Sequence, residues 1–302
     1  MPVRVHRALA QSRLGALVKG AHGRFVEPLV GALARRAQRN RYRLVPTPLF
    51  STVFIETVTI CNNDCSFCPI SKLVTERKYQ LMSETVFDRI TSDLATIGYA
   101  GRIALYNNND PLIDKRLPDL AALAHRRCPQ ARIQVMTNGI LLTAPLARRL
   151  FDAGVHDLHV NNYDDSYRLI PSVARLVETF EGLETIHVFM RRKTQRLTNR
   201  AGRAPNAAPV ATALRAFCTL PFRELNLAYD GRVPLCCADT GWEFAGGNVM
   251  ESGVLGVWFG PALQRARSSL MKGRRDLERP CASCDHRGYK DVPARFLPLQ
   301  LV

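Results

Sequence analysis

Residues 61–69 read Cys61-Asn62-Asn63-Asp64-Cys65-Ser66-Phe67-Cys68-Pro69. The three cysteines fall within eight consecutive positions, and a β-rich run at residues 52–60 leads directly into them. Thiols packed this tightly in a long chain favour metal or redox work over a disulfide framework. The motif therefore predicts a metal centre at the end of a strand.

Three thiolates can hold three corners of a [4Fe–4S] cubane and leave the fourth iron without a protein ligand. An iron with an open position can bind the amino and carboxylate groups of S-adenosylmethionine (SAM), as a catalytic zinc keeps a position open for substrate. An electron from the reduced cluster would then break the sulfonium bond and release a 5′-deoxyadenosyl radical. A zinc knuckle is the alternative, although three cysteines form an incomplete zinc site.

From residue 52 onward, short β-rich runs alternate with helical ones. The predicted strands are residues 52–60, 102–107, 131–137, 155–161 and 184–190, and the predicted helices are 83–97, 117–127, 144–153 and 168–180. This alternation is typical of a parallel sheet with crossover helices, so we expect an α/β fold with a partial (β/α) barrel. Right-handed crossovers place the loops that follow the strands at one rim, where such sheets bind ligands.

The alternation stops after residue 190. Residues 191–217 are basic and contain Gly and Pro, which predicts a bridge, and Asp230-Gly231 predicts the turn of a hairpin between residues 225–228 and 233–237. A further helix is predicted at residues 260–271. The expected domains are a basic helical extension (1–48), the barrel (49–192), the bridge (193–217) and a metal-stapled auxiliary domain (218–302).

The chain has 302 residues and a formal net charge of +16. Residues 1–48 hold ten Lys or Arg against one acid, Glu27, beside an apolar stripe with helical spacing. We expect this extension to pack on the body of the protein; contact with a membrane surface or nucleic acid, or a transit peptide, are the alternatives. No apolar run is long enough to span a membrane, so we expect a cytoplasmic protein for which nucleic acid is not the main partner.

The Cys-x3-Cys-x2-Cys spacing, with Phe67 directly before the third cysteine, resembles the signature of the radical SAM superfamily. The resemblance implies that Cys61, Cys65 and Cys68 hold the site-open cluster. It also implies that Phe67 lies beside the adenine of the cofactor.

The same resemblance implies further cofactor contacts in the loops after the next three strands. Residues 107–112 read Asn-Asn-Asn-Asp-Pro-Leu where the superfamily usually has Gly-Gly-Glu or Gly-Glu-Pro, which implies that Asn109 and Asp110 hold the amino group of SAM. The carboxylate is one methylene shorter than usual, and asparagine stands in for glycine because it tolerates left-handed backbone. The remaining candidates are Thr137 and Asn138, in a Thr-Asn-Gly motif, and Asn161 and Asn162, at the end of the fourth predicted strand.

The last third of the chain holds Cys218, Cys236, Cys237, Cys281 and Cys284. The segments around them resemble the SPASM family in its shortened twitch form, which implies a second, fully ligated [4Fe–4S] cluster on Cys218, Cys236, Cys281 and Cys284. A structural zinc on the same four residues is the alternative. Cys237 stays open as another ligand, a buried small residue or a donor of hydrogen atoms.

Within this subgroup, residues 52–290 resemble the 2-deoxy-scyllo-inosamine dehydrogenase family of aminoglycoside antibiotic biosynthesis. Residues 197–202 read Leu-Thr-Asn-Arg-Ala-Gly and are similar to an Asn-Arg-Gly-Gly segment of that family, which implies that Arg200 lies near the substrate and assists loss of a hydroxyl proton. The implied enzyme is a radical SAM oxidoreductase that oxidises a secondary alcohol of a sugar or aminocyclitol by two electrons. Its auxiliary cluster accepts an electron, and flavodoxin or ferredoxin acts as reductant.

Three other functions stay open at this point. One is radical modification of a ribosomally made peptide, although the sequence shows no separate winged-helix domain of the kind that binds leader peptides. Another is epimerisation, which needs a hydrogen donor and would give Cys237 that role. The third is a non-catalytic, metal-stapled protein whose basic arm binds nucleic acid with an affinity that depends on salt.

Overall fold

The computed structural model of the chain describes residues 3–6, 36, 39, 40, 42, 47–72, 75–179 and 186–288. Within them, seven parallel strands form one sheet in the order β1-β6-β5-β4-β3-β2-β7, which is open between the edge strands β1 and β7. The strands are β1 Val3–His6, β2 Thr52–Ile55, β3 Arg102–Ala104, β4 Arg132–Thr137, β5 Asp157–Tyr163, β6 Ile186–Arg191 and β7 Glu224–Leu227. The predicted α/β fold with a partial barrel is confirmed.

Four helices connect successive strands between β2 and β6, as the crossover pattern requires. They are α1 Glu84–Thr96, α2 Leu117–Arg127, α3 Ala144–Asp152 and α4 Pro171–Thr179. The predicted cap of α1 is confirmed, because the side chain of Ser83 accepts a hydrogen bond from the Val86 N–H at 3.2 Å. The C-terminal part adds α5 Val249–Trp258, α6 Pro261–Met271 and the short α7 Arg279–Ala282.

The sheet separates two kinds of side chain. In β5, the buried Leu158 and Val160 belong to the main hydrophobic core, while Asn161 and Tyr163, at alternate positions of the strand, are half-buried. Alternate residues of a strand point to opposite faces, so these two point to the inner side of the curved sheet. This alternation places polar side chains inside the partial barrel and aliphatic ones against the helices.

The first predicted strand is shorter than expected. β2 ends at Ile55 rather than residue 60, and the following N–H, that of Glu56, still donates to the Leu227 carbonyl at 3.0 Å. Beyond that point the chain pairs with residues 78–82 instead, because Thr59 N–H donates to the Gln80 carbonyl and Met82 N–H to the Thr57 carbonyl. The metal motif therefore lies on a loop whose two ends, residues 57–59 and 78–82, are hydrogen-bonded to each other.

The hairpin prediction is wrong in its pairing. The turn at Asp230-Gly231 forms, with Gly231 at φ 84°, but β7 pairs with β2 in parallel. Residues 233–237 form no strand; the Val233 N–H donates to the Gly247 carbonyl at 3.0 Å. Pro234, which has no N–H to donate, follows directly.

The basic extension is described at few positions. Val3–His6 form a strand paired with β6, where the sequence predicted a helix. Arg36, Arg39, Asn40 and Tyr42 are helical, and the rest of residues 1–46 lies outside the described residues. None of the helices in the described part combines the length and apolar character that crossing a membrane requires.

Candidate active site

A cavity of about 140 Å³, partly open to solvent, lies at the C-terminal ends of the strands. Of the eleven residues predicted for the SAM and substrate end of the protein, all but Asn162 line it: Cys61, Cys65, Phe67, Cys68, Asn109, Asp110, Thr137, Asn138, Asn161 and Arg200. The structure therefore brings together residues from the loops after β2, β3 and β4, from β5 and from the bridge.

The three cysteines occupy one compact loop. Cys68 N–H donates to the Cys65 carbonyl at 3.2 Å, and the Lys72 N–H donates to the Asn63 carbonyl at 3.0 Å. An ion pair of 2.7 Å between Lys193 and Asp64 ties the loop to the segment after β6. These bonds fix the thiols at the cavity wall.

The donor set at this wall consists of thiols. Burial raises the pKa of both Cys61 and Cys65 to about 12, so metal binding there must displace the thiol protons. Among the described residues, no three His, Cys, Asp or Glu side chains form a cage for a single metal ion. The fit to an iron–sulfur cluster rests on the thiolate donors and on the cavity that adjoins them.

Asp110 is a buried latch between two of the loops. Its carboxylate accepts hydrogen bonds from the Thr137 hydroxyl at 2.8 Å, the Asn138 N–H at 2.7 Å and the Leu112 N–H at 3.0 Å. Burial raises its pKa, and these bonds work against that rise. Asp110 thus fixes the Thr-Asn-Gly turn, whose Asn138 amide donates to the Cys61 sulfur at 3.5 Å.

Several side-chain nitrogen atoms around the cavity are buried without a hydrogen-bond partner among the described residues. They include the Nδ2 atoms of Asn108 and Asn109 and the Nε of Arg200. Buried polar groups normally have partners, and all three of these are donors. The cavity wall is therefore suited to a ligand that is rich in oxygen acceptors.

Phe67 and Tyr163 lie on one side of the cavity with ring centroids 5.8 Å apart. Asn161 accepts a hydrogen bond of 2.7 Å from the Arg191 guanidinium, which anchors its amide. The candidate Asn162 points the other way: it is fully buried and bonds to the Arg168 carbonyl and the Ile170 N–H. Strand alternation explains why only one of the two asparagines reaches the cavity.

Arg200 lies in a left-handed turn of three residues. The φ angles are 50° at Arg200, 58° at Ala201 and 82° at Gly202, a conformation that costs energy at the first two positions. The buried Asn199 holds this turn: its N–H donates to the Asp285 carboxylate at 2.8 Å and its amide donates to the Ser283 carbonyl at 2.7 Å. The bridge is thereby fastened to the segment that carries the last two cysteines.

Cys218, Cys236, Cys281 and Cys284 are all buried, and they come from three separate segments. Burial raises the pKa of each thiol, and the thiolate charge of Cys218 raises those of Cys236 and Cys281 further. The four predicted ligands are therefore neighbours in space. Cys237 is half-buried beside them and is not among the described residues that line the cavity.

A buried ion pair links the barrel to the segment after Cys237. Glu56, fully buried at the end of β2, pairs with Arg77, whose guanidinium also donates to the Thr240 carbonyl and lies 4.0 Å from the Trp242 ring centroid. Burial raises the pKa of Glu56 to about 7, while Arg77 lowers it. No motif in the sequence predicts this pair, because its partners lie 21 positions apart along the chain.

Sequence motifs also missed other residues of the cavity. Tyr106, Met136 and Tyr163 line it and carry no motif of their own. Tyr106 donates to Gln134 at 2.7 Å, and the Gln134 amide lies 3.2 Å from the His159 ring nitrogen. A strand-alternation argument could have placed these side chains inside the barrel, but not their contacts.

Comparison with known proteins agrees with this geometry. Residues 55–187 match the family model of the radical SAM superfamily, and residues 218–285 match that of the SPASM iron–sulfur cluster-binding domain. The S-adenosyl-L-methionine-dependent 2-deoxy-scyllo-inosamine dehydrogenase of Niallia circulans is 25% identical over 240 residues, which cover 79% of this chain and 94% of that protein.

Two solved structures share the fold. The crystal structure of BtrN in complex with AdoMet and 2-DOIA gives a TM-score of 0.69 at 22% identity, and an open conformation of BtrN gives 0.59 at 20% identity. Each covers 79% of this chain and 94% of the matched chain. The domains bind SAM with a [4Fe–4S] cluster and a further iron–sulfur centre, respectively. The chain thus carries a radical SAM domain at residues 55–187 and a SPASM domain at residues 218–285, the domains of a radical SAM oxidoreductase.

Proposed function

We propose that the protein oxidises a secondary alcohol on a sugar or aminocyclitol-type metabolite to a ketone. The observation that carries this proposal is one cavity in which three cysteines, donor-rich walls and Arg200 meet. The dehydrogenase from Niallia circulans, which matches over nearly its whole length, supports the reaction type.

The cysteines have separate assignments in this proposal. Cys61, Cys65 and Cys68 hold the site-open cluster, and the cavity beside them receives SAM. Cys218, Cys236, Cys281 and Cys284 fill all four corners of the auxiliary cluster. Cys237 is left as a half-buried neighbour without a catalytic role.

The cavity wall supplies the contacts for SAM. Phe67 packs on the adenine, and the amides of Asn109 and Asn161 donate to polar groups of SAM. Asn138 borders the same site, with its amide donating to the Cys61 sulfur. Asp110 and Thr137 hold the Asn138 turn in place, because the carboxylate accepts from both the Thr137 hydroxyl and the Asn138 N–H. Both carboxylate oxygens of Asp110 already accept hydrogen bonds from the protein. Asp110 therefore positions the loops around the amino group of SAM.

When bound at Cys61, Cys65 and Cys68 and at the four auxiliary cysteines, SAM and the two clusters would supply the redox chemistry: removal of a hydrogen atom from the carbinol carbon and then of one electron, with the hydroxyl proton lost to water. Arg200 acts at the hydroxyl oxygen. A guanidinium does not accept a proton, so Arg200 donates a hydrogen bond that stabilises the negative charge developing on oxygen. Its buried Nε has no partner among the described residues and is available for this bond.

The inner face of the barrel favours a hydroxylated substrate over an apolar one. Tyr106 borders the cavity, and its contact with Gln134 begins the polar chain that continues to His159. Polar groups at such depth position ligand hydroxyl or amino groups. A low-potential electron carrier such as flavodoxin or ferredoxin is the proposed reductant, and the cytoplasm is the proposed compartment.

The test uses anaerobically reconstituted protein with SAM, reductant and 2-deoxy-scyllo-inosamine or related aminocyclitols. A substrate deuterated at the carbinol carbon should pass one deuterium to 5′-deoxyadenosine, with one SAM consumed for each ketone formed. The same substrate deuterated at a neighbouring carbon is the control and should leave 5′-deoxyadenosine unlabelled.

Other outcomes would reject the proposal. Deuterium exchange into an alcohol product of inverted configuration indicates epimerisation. Turnover of a peptide while every alcohol stays unchanged indicates peptide modification. Absence of 5′-deoxyadenosine under strong reduction would remove the radical mechanism altogether.

A further inference from the structure

Arg275 is a buried arginine among the auxiliary cysteines, with 1% of its surface exposed. Its Nε donates to the Ala216 carbonyl at 2.8 Å, its Nη1 to the His286 carbonyl at 2.6 Å and its Nη2 to the Phe217 carbonyl at 3.3 Å. Phe217 directly precedes Cys218, and His286 follows Cys284 by two positions. The guanidinium is therefore wedged between the two segments that carry these cysteines.

No carboxylate lies within ion-pair distance of Arg275 in the described part of the chain, and its hydrogen bonds there all end on neutral carbonyls. The buried Arg77, by contrast, has Glu56 as its partner. Burying a charge is costly unless an opposite charge accompanies it. The neighbouring groups that would become anionic on metal binding are the cysteine thiols.

The packing around Gly288 also places this charge beside a cysteine segment. A Cβ atom on Gly288 would lie 2.8 Å from the Arg275 Nη2 atom and 2.9 Å from the Cys218 Cα atom, so the guanidinium and the backbone of Cys218 flank the same position. One cation thus lies next to the segments that carry two of the predicted ligands, Cys218 and Cys284. Arg267, which is equally buried, instead donates to the Pro221 and Trp258 carbonyls and lies 3.9 Å from the Trp258 ring centroid.

We propose that Arg275 is the counter-charge of the auxiliary cluster and raises its reduction potential, which suits the cluster to accept an electron from the substrate. The inference rests on the proposed function, because it requires the auxiliary cluster to bind Cys218, Cys236, Cys281 and Cys284. An iron–sulfur cluster becomes more negative by one charge when it takes up an electron. A fixed cation nearby stabilises that reduced form, since net charge and its surroundings set the potential.

The test is a redox titration of the two-cluster protein, with each cluster followed by its own electron paramagnetic resonance signal. Arg275→Gln should lower the reduction equilibrium constant of the auxiliary cluster about tenfold or more, which is about 59 mV for a one-electron couple. Arg275→Lys also removes the guanidinium but keeps the positive charge, so the potential of its auxiliary cluster should stay close to that of the wild type. The site-open cluster in the same molecule is the internal reference and should not shift.

Two further variants control for packing. Arg267→Gln removes an equally buried arginine away from the cysteines and should leave the auxiliary potential unchanged. Glu278 is buried, and its carbonyl accepts a hydrogen bond of 2.9 Å from the Cys281 N–H, so its carboxylate belongs to the turn that carries this cysteine. Glu278→Gln should therefore shift the auxiliary potential upward. This opposite sign tests the electrostatic account even where Arg275→Gln fails to load a cluster.

The outcomes separate the two proposals. Wild-type protein that binds iron for a single cluster contradicts the proposed function and leaves no auxiliary potential to tune. Protein with two clusters whose auxiliary potential is the same in wild type and Arg275→Gln overturns the role of Arg275. Where Arg275→Gln does not load, an unchanged potential in Glu278→Gln overturns it instead.

Discussion

Cys61, Cys65 and Cys68 come from one loop after β2, whereas the four auxiliary cysteines come from three segments that the fold brings together. Cys61 and Cys68 are half-buried at an open cavity, while Cys218, Cys236, Cys281 and Cys284 are all buried. The first group leaves room for a ligand beside the metal, and the second encloses its metal in protein. In the proposed function, the same thiol chemistry therefore serves ligand binding in the first group and electron transfer in the second.

Cys65→Ala should separate the two groups most sharply. It removes one of three ligands of the site-open cluster, so cleavage of SAM should fall below detection while the iron of the auxiliary site remains. Iron analysis and chromatography of 5′-deoxyadenosine measure the two effects. Cys128→Ala is the matched control, since Cys128 is buried against the Thr91 carbonyl, away from both groups, and should keep both cofactors.

Arg200→Ala tests the bridge residue that lines the cavity beside the first cysteine group. Loss of its hydrogen bond should slow ketone formation about 100-fold, while reductive cleavage of SAM continues. The ratio of 5′-deoxyadenosine to ketone therefore rises. Arg203, three residues further along and paired with Glu243 at 2.6 Å, is the control, and Arg203→Ala should keep the ratio near one. Equal ratios in both variants would contradict the role of Arg200.

Asn199→Ala should weaken the link between the bridge and the auxiliary cysteines. The buried side-chain amide donates to the Ser283 carbonyl at 2.7 Å and accepts from the Asp285 N–H at 3.1 Å, so its loss should lower the free energy of unfolding by about 2 kcal/mol and product formation about tenfold. Urea unfolding and product assays measure the two effects. Asn206→Ala, on an exposed part of the same bridge, should change neither. A fully coupled, equally stable Asn199→Ala protein would show that the clamp is dispensable.

Glu56 should give the smallest effect, and one that depends on pH. Its pKa is raised by burial to about 7, so the folded protein binds this proton more tightly than the unfolded chain does. The stabilisation from that proton is complete below the ordinary pKa of 4.5 and is lost as the pH rises through 7. Relative to Glu56→Gln, the wild type should lose about 1 kcal/mol of unfolding free energy per pH unit between pH 5 and 7. Parallel pH profiles of the two proteins would contradict the shifted pKa.

The sequence predicted what local spacing encodes. The three-cysteine motif and the Thr-Asn-Gly turn each lie within a few residues, the β/α alternation repeats along the chain, and all three led to residues of one cavity. The wrong hairpin shows the limit: the Asp-Gly turn was correct, but β7 found its partner in β2. Helix α5 was missed because Gly253 and Gly256 interrupt its pattern and Gly253 is kinked at φ 69°.

Contacts between distant segments carried no local signal. Asn199 donates a hydrogen bond to Asp285, and Arg275 donates to the Ala216 and Phe217 carbonyls. Neither contact follows from residue spacing. The family resemblance supplied Arg200, yet only the structure showed the strained turn that presents it. Sequence thus identified the chemistry, and the fold identified the residues that hold it in place.

The placement of β7 has a consequence for how the protein is made. β2 supports the cysteine loop, and one of its two neighbours in the sheet leaves the ribosome only after the whole barrel and bridge have been translated. Until then the nascent chain carries a bare strand edge next to three reactive thiols, a state prone to aggregation. Iron loading at the first site should therefore be most efficient after translation has finished, and a gene truncated after the bridge should yield insoluble protein.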